Sequence, residues 1–134
     1  MAVEYGGFPD ISYPAGEDLS DDKFRVVRLY TDGKVYRPDD ATSVSVLGVL
    51  QNAPEIGEAA AIRLSGISKV RLGGTVAIND KVTHEYVSAT DAGNIVACGT
   101  SLGYTLGICL EGGADSEVGT INLIGGLTYN NVAS

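Results

Sequence analysis

The sequence predicts an all-β protein: a small Gly-rich β-barrel or β-sandwich with two related strand-loop-strand halves and an extended N-terminal arm. Three observations lead there. A cassette occurs twice, first as Leu47-Gly48-Val49-Leu50 followed by Ile62-Arg63-Leu64-Ser65-Gly66, then as Leu106-Gly107-Ile108-Cys109-Leu110 followed by Ile121-Asn122-Leu123-Ile124-Gly125. Gly48 precedes Gly66 by 18 positions, as Gly107 precedes Gly125. Repeated strand-loop-strand units describe a scaffold of paired strands. Glycine supplies 18 of 134 residues without a collagen period, punctuating short apolar runs as turns and bulges do. No window of a dozen residues places apolar side chains at helical spacing, so at most one short helix is expected.

Residues 1–22 lack either period. They mix Tyr5, Phe8, Pro9, Tyr13 and Pro14 with the acidic stretch Glu17-Asp18-Leu19-Ser20-Asp21-Asp22. This composition reads as an extended arm ordered by a partner. Residues 23–134 read as a single β domain with a short C-terminal tail. Phe24 to Tyr30 and Val35 to Arg37 form a hairpin, its Asp32-Gly33 supplying the positive φ of a two-residue turn. Ser43 to Leu50 is a strand, and the acidic loop Asn52 to Glu58 leads to the strand around Ile62. Strands follow at Ile67–Leu72 and Thr75–Ile78. Asn79-Asp80 turns the chain, because Asn tolerates the left-handed conformation. Lys81–Val87 and Ile95–Cys98 are further strands, then the second cassette, and Leu127–Ser134 is the tail. Gly48, Gly66, Gly107 and Gly125 are the structural turn glycines of the cassettes.

The net charge of −8 repels phosphate backbones, so no nucleic-acid partner is expected. No run approaches the ~20 apolar residues that span a bilayer, and no membrane partner is expected. The N-terminus has neither the basic nor the apolar region of a signal peptide. Cys98 and Cys109 lie in apolar strands and are expected as free thiols. Catalytic and metal chemistry is not indicated. His84 is a lone strand histidine, Cys98 follows an apolar run that raises its pKa, and neither Asp21-Asp22 nor Asp39-Asp40 has the spacing of a calcium loop. No cofactor is expected.

From Phe24 to Gly125 the chain resembles the bacteriophage capsid decoration proteins, also called cement or head-stabilisation proteins. The resemblance rests on Phe24-Arg25-Val26-Val27, on Gly48-Val49-Leu50, and on Gly57 with Ile62-Arg63-Leu64-Ser65-Gly66. It continues through Asn79-Asp80-Lys81-Val82 and Gly107-Ile108-Cys109-Leu110-Glu111 with Ile121-Asn122-Leu123. Members often carry Gly-Asp where this chain has Asn79-Asp80. The resemblance implies a structural, non-enzymatic virion protein, made in the host cytoplasm and bound to the capsid exterior. It further implies a homotrimer that stabilises the shell by clamping neighbouring major capsid subunits. The arm supplies the capsid-contact candidates Tyr5, Phe8, Tyr13, Asp18, Asp21 and Asp22. An alternative is a virion-displayed binding module for a host surface or carbohydrate, which would cluster exposed aromatics.

Overall fold

The computed structural model describes residues 10–39, 46–98 and 103–130. The described residues form ten strands: β1 (Asp10–Pro14), β2 (Val26–Leu29), β3 (Val35–Tyr36), β4 (Val46–Leu50), β5 (Ala59–Arg63), β6 (Gly66–Arg71), β7 (Lys81–Ser88), β8 (Asp91–Ala97), β9 (Gly103–Glu111) and β10 (Val118–Asn130). They make two sheets, ordered β1-β5-β4-β2-β3 and β6-β10-β9-β7-β8. The two orders are the same path traced twice. Each sheet curls until its ends meet: Ala15, just past β1, bridges Val35 of β3, and Leu72, just past β6, bridges Ile95 of β8. The all-β expectation of two related halves is met, and the repeat extends well beyond the cassette.

Register confirms the duplication. Val49 pairs with Arg63 and Leu50 with Ile62, while Ile108 pairs with Asn122 and Cys109 with Ile121, each partner displaced by 59 positions (49 to 108, 63 to 122). The loops repeat as closely. Gly57 N–H donates to Ala15 O and Ala15 N–H to Glu58 O, and Ser116 N–H donates to Leu72 O and Leu72 N–H to Glu117 O. The Glu58 carboxylate accepts the Glu55 amide at 2.7 Å, as that of Glu117 accepts the Ala114 amide at 2.7 Å. Positive φ recurs at matching places: Phe24 (68°) with Asn79 (74°), Gly57 (84°) with Ser116 (73°), and Gly33 (79°) with Gly93 (94°).

Ser116 thus holds a conformation that its counterpart reaches with glycine, at a cost of about 1 kcal/mol for a residue with a Cβ. Ser116→Gly is expected to raise stability by roughly 0.5–1 kcal/mol, read as a higher urea midpoint at unchanged slope.

Each half has its own buried cluster. Ala15, Leu19, Val27, Val35, Leu50, Ala60 and Ile62 fill the first. The second gathers Val70, Leu72, Val76, Val82, Ile95, Leu106, Cys109, Ile121 and Leu123, together with Val26 and Val49 from the opposite face of the first sheet. Alternation explains this: Val26 and Val27 are adjacent in β2 and point to opposite faces. One face of the first sheet therefore closes its own barrel, and the other rests on the second.

Several expectations are corrected. Residues 10–22 are not part of a free arm: β1 pairs with β5 from Asp10↔Arg63 to Pro14↔Ala59, and Leu19 is fully buried. An Ile-Ser-Tyr alternation too short to show a period at sequence level suffices once a neighbouring strand supplies the ladder. Residues 1–9 lie outside the described residues. The β2–β3 turn has three residues, with Tyr30 N–H donating to Lys34 O, and only Gly33 has positive φ. Thr75–Ile78 is a loop holding one bridge, Val76 to Gly113. Leu127–Asn130 continues β10 rather than forming a tail.

The cassette glycines are mostly not turn residues. Gly48, Gly107 and Gly125 lie inside strands, and only Gly66 takes positive φ (91°), at the passage between the halves. Gly48 and Gly107 are needed for close approach. A Cβ on Gly48 would lie 2.2 Å from Arg63 O, and one on Gly107 would lie 2.3 Å from Asn122 O. The obstacle is partner-strand backbone, which cannot swing aside. Gly107→Ala is expected to cost about 1–3 kcal/mol in a chemical unfolding titration.

Candidate interaction surface

Two carboxylates of the acidic stretch that the sequence assigns to a partner, Glu17 and Asp22, are committed within the protein. Arg37 follows β3 and reaches back across it. Its Nη1 donates to Glu17 Oε1 at 2.9 Å, its Nε to Asp22 Oδ2 at 2.9 Å, and its Nη2 to the Asp18 carbonyl at 2.7 Å. Asp22 is 1 % exposed and also accepts from Arg25 Nη1 at 2.7 Å. Arg25 continues the chain into the second half, donating to Asn94 Oδ1 at 2.9 Å and to Asp91 Oδ1 at 3.2 Å. Charges alternate along Glu17, Arg37, Asp22, Arg25 and Asp91. Burial of such groups is tolerated because each is paired and hydrogen-bonded.

Of the six candidates, Tyr5 and Phe8 lie outside the described residues. Tyr13 is half-buried against the first cluster. Asp18 and Asp21 are exposed, and the Ser20 hydroxyl and amide lower the Asp18 carboxyl below its ordinary pKa. Asp22 is a correction: its carboxylate is enclosed between two guanidinium groups and presents no surface to a partner. Arg25 answers both Asp22 and Asp91 with its guanidinium.

Where the halves meet, a cleft of about 320 Å³ lies between Arg71, Gly73, Glu85, Asp91, Asn94 and Asp115. The Asn94 amide donates to Asp91 Oδ1 at 3.1 Å and to Glu85 Oε2 at 3.3 Å. Burial raises the Glu85 carboxyl pKa, partly offset by the Asn94 hydrogen bond and reinforced by the Asp91 and Asp115 carboxylates. A carboxyl raised on folding binds its proton more tightly in the folded state. Its contribution to stability is complete below the unfolded pKa and is lost as pH rises through the folded one. Glu85→Gln is therefore expected to melt above the parent at neutral pH, and the gap is expected to close below about pH 4. Melting curves across that range check the sign.

Two further surfaces escaped the sequence reading. On the first hairpin, Tyr30 and Tyr36 meet edge-to-face at 6.0 Å, with the Arg28 guanidinium 5.3 and 5.1 Å from their ring centroids. Tyr36 OH donates to Asp32. On the outward face of the second sheet, Ile67, Leu110 and Val118 are 52 %, 41 % and 52 % exposed, beside half-buried Ile108. Their signal was available: each alternates out of phase with a buried neighbour, Ser68, Cys109 or Gly119. His84 is buried in β7 opposite Ile95. Cys98 and Cys109 are free, and burial pushes both thiols up. Among the described residues no group of three His, Cys, Asp or Glu side chains is placed to hold a metal ion.

No family model matches the chain, and no curated protein sequence matches it. A solved structure does share the fold: the head fiber gp8.5 N base of bacteriophage phi29, at a TM-score of 0.65 and 12 % identity, over 91 % of this chain and 98 % of that one.

Proposed function

We propose that the protein is a structural component of a phage virion, bound to the outside of the capsid as a homotrimer and stabilising the shell by clamping neighbouring major capsid subunits. The observation that carries this reading is a fold shared along nearly the whole chain with a protein of a phage head. The sequence resemblance points to the same class. A duplicated barrel suits a clamp, since each chain carries two related surfaces and several weak contacts sum to tight attachment.

The trimer draws support from a difference between the halves. Val26 pairs with Val49 on the first sheet face that rests on the second half. Their counterparts, Lys81 paired with Ile108, lie on the second sheet's outward face with Ile67, Leu110 and Val118. The first half's version of this face is covered and the second half's is open. A second copy laid head-to-tail would cover it, and such contacts close into rings. Leu110→Glu combined with Val118→Glu should convert trimers to monomers by sedimentation while leaving the β circular dichroism unchanged. A parent protein that sediments as a monomer at micromolar concentration overturns the trimer.

The capsid reading is tested with shells assembled without this protein. Purified protein should bind them to saturation and raise the temperature at which they release DNA. Absence of binding overturns it. The paired Tyr30 and Tyr36 favour a second reading, a displayed binding module for host carbohydrate. Glycan-array signal lost in Tyr30→Ala, with shells left bare, would replace the first.

A further inference from the structure

The duplication makes an internal control. What one half does and the other does not is unnecessary to the fold. Phe24 and Asn79 hold the same place: the Phe24 amide donates to Leu50 O at 2.7 Å, and the Asn79 amide to Cys109 O at 2.7 Å. Both have positive φ, 68° and 74°. Asparagine accepts this conformation, whereas a bulky aromatic in it is an outlier. The strain at Phe24 is held from both sides, because its carbonyl also accepts the Arg71 amide at 2.9 Å, across the junction of the halves. Phe24 is half-buried and belongs to neither buried cluster. Core packing therefore does not explain the aromatic.

Its surroundings suggest what does. The Lys23 ammonium lies 5.0 Å from the Phe24 ring centroid. Lys23 and Arg71 line one open cleft with Ser20, Asp21 and Thr90. Among the described residues the Arg71 guanidinium donates to one carbonyl, that of Asp21, at 3.3 Å, and takes part in no ion pair. Arg25 also borders the cleft, but its charge is answered by Asp22 and Asp91. Within this cleft Lys23 and Arg71 against Asp21 leave a positive excess on a chain of net charge −8, while the other side of Arg71 borders the acidic cleft of Glu85, Asp91 and Asp115.

We propose that Lys23, Phe24 and Arg71 form a docking site for an acidic, extended segment of a partner protein. Two cations receive its carboxylates, and the held aromatic receives an apolar side chain between them. The net negative charge of the chain disfavours such a segment over most of the surface, so a locally positive cleft sets where it lands. Strain kept at a half-buried aromatic that neither cluster uses is the mark of a residue retained for recognition. The same negative field opposes a nucleic-acid strand.

The test uses the full-length protein labelled with nitrogen-15. It is titrated in low salt with the peptide EELEEL, and in parallel with KKLKKL, inorganic phosphate and a decathymidine strand. EELEEL should shift the amides of Ser20, Lys23, Phe24, Arg71 and Thr90, and added salt should weaken the effect. Lys23→Glu and Arg71→Glu should each weaken binding by about fivefold. Phe24→Asn should bind more weakly and yet melt higher, a combination that a purely structural phenylalanine does not produce. The proposal is overturned if these amides do not move, if KKLKKL, phosphate or decathymidine moves them as far, or if Phe24→Asn melts lower with binding unchanged. The titration reads this surface whether or not the protein attaches to a shell, so its failure leaves the capsid reading standing.

Discussion

Replacing Asp22 with alanine is expected to lower the free energy of unfolding by about 3 kcal/mol, near the lower end of the range for breaking a buried ion pair. The carboxylate is 1 % exposed and bridges two guanidinium groups, Arg25 at 2.7 Å and Arg37 at 2.9 Å. Removing it leaves both cations enclosed near a hole. The loss stays at the low end because each arginine keeps other acceptors, Asn94 and Asp91 for Arg25, Glu17 and the Asp18 carbonyl for Arg37. Asp22→Asn keeps the shape and one acceptor and should cost less. Against a typical stability of roughly 5–15 kcal/mol, the alanine variant loses a large fraction. Urea unfolding at matched slopes measures it. A loss under about 1 kcal/mol would mean that the pair behaves as a surface bridge.

Deleting residues 1–22 should have a still larger effect, abolishing the native fold of the first half. The deletion removes β1, whose five residues pair with β5, and the Ala15 bridge that closes the first sheet on Val35. It removes Leu19, fully buried, at about 2 kcal/mol for the side chain alone. It also strips Arg25 and Arg37 of Asp22 and Glu17. Deleting only residues 1–9 removes none of these groups. On the proposed function, that shorter variant should bind shells more weakly. Full-strength binding by the shorter variant would exclude Tyr5 and Phe8 as anchors. A folded 23–134 fragment with the parent's melting temperature would overturn the structural account of β1.

Much of the strand pattern was legible because alternation is a local property. Ile62-Arg63-Leu64 and Ile121-Asn122-Leu123 declare which side chains point inward before any partner strand is known. The cassette showed by identity of spacing alone, since Gly48 and Gly107 mark the two places where a neighbouring carbonyl leaves no room for a Cβ. The rest of the repeat was hidden. Phe24 and Asn79, or Gly57 and Ser116, share backbone conformation and hydrogen bonds without sharing chemistry. A fold constrains φ and burial at such positions, and dissimilar side chains can meet both demands.

The acidic stretch misled for a related reason. Glu17, Asp18, Asp21 and Asp22 look alike in a list, yet Arg25 and Arg37 enclose one of them and leave two in water. Those partners stand 3 and 15 residues from Asp22 in the chain, and nothing local distinguishes that carboxylate from its neighbours. By itself, then, the sequence determined the strand character, the inward side chains, the acidic surface and the existence of a repeat, because these follow from composition and from a period of two. Only the tertiary structure decided that the repeat spans both halves, that residues 10–22 belong to the first of them, which charges are used inside, and which sheet face stays open. Those outcomes depend on contacts between residues far apart in the chain, whose free energies appear only when the sheets close.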